Sequence, residues 1–342
     1  MKALIDNELK SSAETIMKAD PAAIEKISDV LIETIKNGGQ VIFMGNGGSS
    51  ADAQHLAAEF TGRYLMERDP MPAIALSNIA PVTAIGNDYS FDLVFKRQTE
   101  AHARKGDAVV CISTSGNSKN VIEAMKAAKE KGAVTISFTG MGGVMKDMAD
   151  HALVIPSIET PRIQEGYMVA GHIICGLVER GVFGKKAVLI DRDDTIAKDQ
   201  PYCSRPEDMI LFDGVPESIA KLNRAGYLVI IITNQSGVAR KKFSEDDLSK
   251  IHKKMIADIE KGGGKVDDIF YCPHHPDDKC GCRKPEIGMG ERAIMKHRIN
   301  TKGSFMIGNS DADVKFGKAI GCTSIMVTET FTFKDAVDKI LS

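Results

Sequence analysis

One stretch near the middle of the chain constrains its fold more than any other. Lys185-Lys186-Ala187-Val188-Leu189-Ile190 is an apolar run of strand type, and it breaks off into Asp191-Arg192-Asp193-Asp194-Thr195. In a parallel α/β sheet, ligands collect at the carboxyl ends of the strands. An Asp-x-Asp-x-Thr pattern delivered there suits a metal and a phosphate. Taken alone, the same residues also suit a charged loop that closes a strand.

What precedes this stretch reads as one complete domain. Strand-like runs recur at residues 40–44, 73–76, 108–112, 134–138 and 152–155, and helical patterns at 50–64, 91–104, 121–131 and 162–180 separate most of them. Strands alternating with helices predict a doubly wound parallel sheet. Two helices are expected ahead of it, at 3–18 and 21–37. Asp20-Pro21 supplies a cap and a proline at the first helical position, and Gly38-Gly39 stops the second helix. Their expected role is to cover the sheet or to contact another subunit.

Composition narrows the class. At 342 residues, 43% hydrophobic and 26% charged, the chain has room for two domains of ordinary size. A net charge of −2 gives no reason to expect nucleic acid or an anionic membrane as partner. No apolar run approaches the ~20 residues of a membrane helix. Acidic residues break the N-terminal segment, so no signal peptide is expected. Seven cysteines without one point to reduced thiols and a cytoplasmic location.

Two strand ends in the first half carry chemistry. Gly45-Asn46-Gly47-Gly48-Ser49 opens a helix, where glycine permits a tight turn and Ser49 can cap while free N–H groups face an anion. Ser113-Thr114-Ser115-Gly116-Asn117-Ser118 lies between a strand and a helix, and its hydroxyls with the helix-start amides make a phosphate cradle without lysine. His55 and Glu59 share one helix face, and Gln164 and His172 lie on another helix. A histidine on an apolar helix is commonly a core residue. Two histidines, a glutamate and a glutamine near phosphate loops can instead hold a divalent metal such as zinc, and a carboxylate with an imidazole can move a proton between adjacent carbons of a sugar phosphate.

Together with Gly86-Asn87-Asp88 and Arg162-Ile163-Gln164-Glu165, these motifs make roughly residues 1–180 resemble the sedoheptulose 7-phosphate isomerases of the sugar-isomerase (SIS) fold. The resemblance implies that Ser49, Ser113, Thr114, Ser115 and Ser118 grip the phosphate, with Asn46, Asp88 and Gln164 also at the substrate. It implies zinc on His55, Glu59, Gln164 and His172, with Glu59 as base and His172 as acid through an enediolate. It implies a homotetramer whose sites form between subunits.

Only about four irregular residues, 181–184, separate this part from the next, so the expected domains are 1–182 and 183–342. After Asp191-Arg192-Asp193-Asp194-Thr195 come a polar loop at 196–208, a helix at 216–225, a strand at 227–232 ending in Thr233-Asn234-Gln235, a helix at 244–260, and a strand at 304–307 ending in Gly308-Asn309-Ser310-Asp311-Ala312-Asp313. Cys272, His274, Cys280 and Cys282 supply three thiolates and an imidazole within eleven residues, a closed set for a structural zinc. Such a zinc braces a loop and fixes Arg283 and Lys284, which follow the last ligand.

A strand-end Asp-x-Asp, a strand-end threonine, a fixed lysine and a late acidic cluster resemble the haloacid dehalogenase-like (HAD) phosphatases. The Cys-Pro-His-His-Pro and Cys-x-Cys-Arg-Lys-Pro elements resemble the branch that holds D-glycero-D-manno-heptose 1,7-bisphosphate phosphatase and histidinol-phosphatase. The resemblance implies Asp191 as nucleophile, Asp193 as general acid and base, and Thr233, Asn234 and Lys284 at the phosphoryl group. Arg240 and Arg283 are implied at the rest of the substrate, and Mg²⁺ on Asp191, Asp193, Asn309 and Asp313. Two positions depart from the pattern: Asp194 stands where a glycine is usual, and Asn309 where an aspartate is usual. The asparagine keeps a carbonyl for Mg²⁺ but loses a charge.

The expected architecture is therefore α/β, with two doubly wound parallel-sheet domains in tandem: a SIS-type sandwich, then a HAD-type Rossmann-like domain with a zinc-braced loop. The expected function is bifunctional heptose biosynthesis acting on phosphorylated heptoses. A phosphatase weakened at Asn309, a histidinol-phosphate substrate, and a sugar-phosphate-sensing first half remain as alternatives.

Overall fold

Among the described residues, the named strands of both sheets pair in parallel throughout. The computed structural model describes residues 1–198 and 203–342. They divide into two units, Met1–Phe183 and Gly184–Ser342, each built on a five-stranded sheet.

The first unit runs α1 (Lys2–Ile16), α2 (Pro21–Lys36), β1 (Val41–Gly45), α3 (Gly48–Thr61), β2 (Ala73–Ala75), α4 (Ile79–Asp88), α5 (Val94–His102), β3 (Ala108–Ser113), α6 (Lys119–Glu130), β4 (Val134–Thr139), α7 (Met145–Met148), β5 (His151–Val154) and α8 (Thr160–Phe183). The sheet order is β2-β1-β3-β4-β5. Strand residues alternate between two cores. Val41 and Phe43 join Ile27, Leu31, Phe60 and Tyr167 on one face, whereas Ile42 and Met44 join Phe95, Val121 and Met125 on the other. Burial on both faces explains why these strands read as continuous apolar runs. Helix α3 packs on the first face and α6 on the second, so the strand order reverses between β1 and β3. The two polar turns end these strands and share the crevice at that reversal.

The second unit runs β6 (Ala187–Ile190), α9 (Val215–Arg224), β7 (Leu228–Asn234), α10 (Glu245–Lys261), β8 (Asp268–Cys272), α11 (Gly288–His297), β9 (Phe305–Gly308), α12 (Asp311–Ala319), β10 (Thr323–Met326) and α13 (Phe333–Leu341). Its sheet order is β10-β9-β6-β7-β8. Val188 and Ile190 pack with Ile219, Ile251 and Phe333, while Leu189 packs with Met289, Met306 and Phe316 on the opposite face. Here the order reverses between β6 and β9, which sets Asp191 beside the turn that follows Gly308.

The sequence pattern does not anticipate α4, α7, β8, β10 or α11 to α13. Pro81 hides α4, although it falls in the first turn, where a missing N–H is tolerated. The strands β8 and β10 are edges, only partly covered along most of their length, so neither shows the apolar run of a central strand. The polar loop expected at 196–208 lies partly outside the described residues.

Candidate active sites

In the first unit, helix α3 starts at the glycine turn after β1 and carries His55 and Glu59 one turn apart. His55 Nε2 lies 2.9 Å from His172 Nε2 on α8 and 3.3 Å from Glu59 Oε1. One ligand atom from each of the three lies within 4.8 Å of the others. Two imidazole nitrogens and a carboxylate oxygen aimed at one point form a donor set that fits zinc with a coordination position left open. The ring of Tyr64 stacks on His172 with centroids 5.6 Å apart and planes 12° from parallel. Gln164 lies two turns before His172. Its Nε2 donates to Asp52 Oδ2 at 2.9 Å, which leaves the amide oxygen for a metal. Its amide lies over Gly48, where a Cβ would stand 2.5 Å from Nε2, so only glycine permits the approach.

The serine turn is drawn together by its own hydroxyls. Ser113 Oγ is 2.9 Å from Ser118 Oγ and 3.3 Å from Ser115 Oγ. Gly116 holds φ at 65°. The carbonyl of Thr114 accepts from Gly140 N at 3.3 Å. Asn46 and Asn120 exchange two amide hydrogen bonds of 2.9 Å, which ties the glycine turn to the start of α6. Ser49 Oγ is 2.9 Å from the buried Tyr167 hydroxyl. Asp88 closes α4 on the surface, where its carboxylate accepts from Asn87 Nδ2 at 2.9 Å. Tyr167, Asp52, Asn120 and Tyr64 are not among the expected site residues. Helical spacing was the only available signal, because Tyr167 follows Gln164 by three positions and Asp52 precedes His55 by three.

In the second unit the centre is a buried triad of charges. Lys284 Nζ stands 2.6 Å from Asp191 Oδ1 and 2.6 Å from Asp313 Oδ1, and it donates to Ile232 O at 2.7 Å. Burial pushes the Asp191 carboxyl up to about 6, against the downward pull of Lys284. Asn234, expected at the substrate, instead brackets the Lys284 backbone, accepting from its N–H at 3.0 Å and donating to its carbonyl at 3.2 Å. Thr233 is buried at the tip of β7, and its hydroxyl accepts from Gln235 Nε2 at 2.8 Å.

Asp193 is held from two sides. Arg192 grips it with Nε at 2.9 Å and Nη2 at 3.0 Å, and Gln235 Nε2 donates to it at 2.8 Å. Arg192 is itself buried and donates to His252 Nε2 at 3.4 Å. Arg192, Gln235 and His252 were absent from the expected site. Only the position of Arg192 between two aspartates signalled it.

Asp191 and Asp193 after β6 and Asn309 after β9 offer hard oxygen ligands at adjoining strand ends, a set that fits Mg²⁺. Asp313 was expected among them. Its Oδ1 faces Lys284, while Oδ2 accepts from the N–H and hydroxyl of Ser310 as the capping box of α12. Asp194 has φ of 52°, the left-handed region that glycine enters without cost. Asp194 and Asn309 line one cleft of about 830 Å³ with Phe212, Asp213 and Lys334. Arg240 is exposed in the turn after β7. Arg283 buries Nη1 without a partner among the described residues.

Cys272, His274, Cys280 and Cys282 converge with sulfur–sulfur distances of 3.4–3.5 Å and His274 Nδ1 at 3.2 Å from Cys282 Sγ. Tetrahedral zinc with bonds of about 2.3 Å spaces its sulfurs roughly 3.8 Å apart, so the set fits that ion after a small expansion. Cys282 and Lys284 are two residues apart, which links the cluster directly to the charged triad.

Comparison with known proteins agrees with this division. The SIS domain family matches residues 6–140, and the Polynucleotide kinase 3 phosphatase family matches residues 186–331. The phosphoheptose isomerase of Rhodospirillum rubrum is 52% identical over 159 residues, which is 46% of this chain and 85% of the relative. The solved phosphoheptose isomerase of Francisella tularensis is 33% identical, covers 52% of this chain and 97% of its own, and superposes with a TM-score of 0.50. The solved D,D-heptose 1,7-bisphosphate phosphatase of B. bronchiseptica, complexed with magnesium and phosphate, is 30% identical, covers 46% of this chain and 98% of its own, and has a TM-score of 0.43.

Proposed function

Since the chain belongs to the phosphoheptose isomerase family and continues into a phosphatase-family unit, we propose that it is a bifunctional enzyme of heptose biosynthesis. The first unit isomerises sedoheptulose 7-phosphate to D-glycero-D-manno-heptose 7-phosphate. The second removes the 7-phosphate of D-glycero-D-manno-heptose 1,7-bisphosphate. A phosphorylation at C1 must intervene, so the two sites do not hand one molecule directly across. The enzyme acts in the cytoplasm as a homotetramer assembled through its first unit.

In the isomerase, the serine turn and Ser49 bind the phosphate, with Asn46, Asp88 and Gln164 at the sugar. Glu59 removes the proton from the carbon next to the carbonyl and His172 serves as acid, which gives an enediolate that collapses to the aldose. Zinc on His55, Glu59, Gln164 and His172 supplies charge stabilisation when bound.

In the phosphatase, Asp191 attacks phosphorus and forms an aspartyl phosphate, while Asp193 protonates the leaving sugar oxygen and then activates water. Lys284 and Thr233 hold the phosphoryl oxygens, and Arg240 and Arg283 bind the remainder of the substrate. Mg²⁺ on Asp191, Asp193 and Asn309 offsets the developing charge when bound. Zinc on Cys272, His274, Cys280 and Cys282 braces the loop that carries Lys284.

The observation that carries the reading is the meeting of His55, Glu59 and His172 across two helices. A sugar-phosphate-sensing module would need the serine cradle but not this donor set. Sedoheptulose 7-phosphate and heptose 1,7-bisphosphate are supplied separately, and each product is followed by NMR. Glu59→Gln abolishes isomerisation while retaining substrate binding, and Asp191→Asn abolishes phosphate release. Phosphate release indifferent to Asp191→Asn overturns the phosphatase assignment, and release from histidinol phosphate in preference to the heptose overturns its substrate.

A further inference from the structure

We propose that the buried ion pair of Arg68 and Glu179 is a positioning clasp, which holds the helix bearing His55 and Glu59 against the helix bearing His172 and lays Tyr64 on the His172 ring. The inference rests on the isomerase reading above.

Both side chains are 1% exposed, with Arg68 Nε 3.0 Å from Glu179 Oε1. Arg68 lies beyond the end of α3, and its remaining nitrogens turn back onto that end. Nη1 donates to Phe60 O at 2.8 Å, Gly62 O at 3.1 Å and Asp69 O at 3.0 Å, and Nη2 donates to Glu59 O at 2.8 Å. Carbonyls at a helix C-terminus have no partner within the helix and carry partial negative charge, so a buried guanidinium satisfies both needs at once. One of these carbonyls belongs to Glu59 itself, whose carboxylate faces His55.

Glu179 completes the device from the other helix. It lies on α8, two turns beyond His172 and hence on the same face. Its carboxylate accepts from the backbone N–H groups of Tyr64 at 2.8 Å, Leu65 at 2.9 Å and Met66 at 3.0 Å, in addition to Arg68. These bonds fix the backbone from which the Tyr64 ring reaches His172. Two glycines of α8 keep the space clear. A Cβ at Gly171 would stand 2.8 Å from Leu56 Cδ2 of α3, and one at Gly176 would stand 3.3 Å from Tyr64 Cε1. A buried ion pair is a costly way to fill a core, since apolar side chains of similar volume often do so at least as well. What they cannot supply is the direction of eight hydrogen bonds, counted as the four from Arg68 to carbonyls, the three into Glu179 from backbone, and the bond between the two side chains.

The test uses the full chain carrying Cys280→Ser and Cys282→Ser, which removes the thiolate cluster as a second metal site, and loaded with Co²⁺, so that the visible absorption reports the geometry of the His55, Glu59 and His172 site. Arg68→Met is combined with Glu179→Leu, so that no buried charge is left unpaired, and Tyr64→Leu is made separately to leave the pair intact. The double variant is expected to fold, to lose about 100-fold in kcat with KM changed less than about threefold, and to bind Co²⁺ about tenfold more weakly with an altered spectrum, as is typical when the surroundings of a ligand are lost. Tyr64→Leu is expected to lose about tenfold in kcat. A folded double variant with wild-type kcat and Co²⁺ spectrum overturns the clasp, whatever its melting temperature. If the double variant fails to fold, Tyr64→Leu with unchanged kcat and spectrum overturns it. Should the wild type not turn over sedoheptulose 7-phosphate while the variants still shift the Co²⁺ spectrum, the isomerase reading fails and the clasp stands.

Discussion

Lys284 Nζ lies 2.6 Å from Asp191 Oδ1, and both groups are buried at the end of the central strand of the second sheet. The lysine also faces Asp313 at 2.6 Å, so one cation is shared between two carboxylates in a water-poor site. Lys284→Met leaves both acids without it. The expected result is loss of phosphate release by about 100- to 1,000-fold, the size typical of losing a group that stabilises transition-state charge. Breaking a buried pair on one side also costs roughly 3–5 kcal/mol of stability. Melting curves and phosphate assays measure the two effects, and isomerisation serves as the internal control.

The two unusual residues of the phosphatase site face one cleft. Asn309→Asp restores a carboxylate at the end of β9 and is expected to tighten Mg²⁺ binding about tenfold, since anionic oxygen ligands raise affinity for this ion. Titration calorimetry on the unliganded protein measures it. An unchanged affinity shows that Asn309 is not a ligand.

Asp194 holds φ at 52°. Asp194→Gly relieves a left-handed conformation that costs an L-residue about 1–2 kcal/mol. The larger backbone freedom of glycine in the unfolded chain offsets part of this. A net gain of about 0.5–1 kcal/mol is expected, read from denaturant unfolding of the second unit.

Buried His252 is held neutral. Burial first, and the neighbouring Arg192 second, lower it from its ordinary 6.5 to about 3. Below pH 6.5 the unfolded chain takes up a proton that the folded chain refuses. Its contribution to stability is therefore fully present above that pH and is lost as pH falls from 6.5 towards 3. His252→Leu is expected to flatten the pH dependence of unfolding in this window. A slope unchanged by the substitution contradicts the assignment.

The zinc proposed for the four-ligand cluster is expected to hold Lys284 in place, so that its removal loosens Lys284 before it unfolds the sheet. Cys280→Ser and Cys282→Ser are expected to abolish one equivalent of bound zinc, measured by elemental analysis, and to lower phosphatase activity at saturating Mg²⁺. Isomerase activity is expected to be unaffected.

Much of this protein is local and therefore legible in the order of its residues. The alternation of apolar strands and helices, the polar turns at strand ends and four soft ligands within eleven residues are each complete within one segment. Burial on both faces made the central strands obvious, while the half-covered edges β8 and β10 carried no such pattern. Partnership across distance, by contrast, is set by the packing of the folded chain. His55 meets His172 at a separation of 117 residues, Lys284 meets Asp191 at 93, and Gln235 meets Asp193 at 42. The same folding turned Asn234 onto the backbone of Lys284 and Asp313 onto Ser310, positions that spacing along the chain leaves undetermined. The physical reason is that a side chain's periodicity records the face it occupies, whereas its hydrogen-bonding partner is chosen by the packing of whole elements against one another.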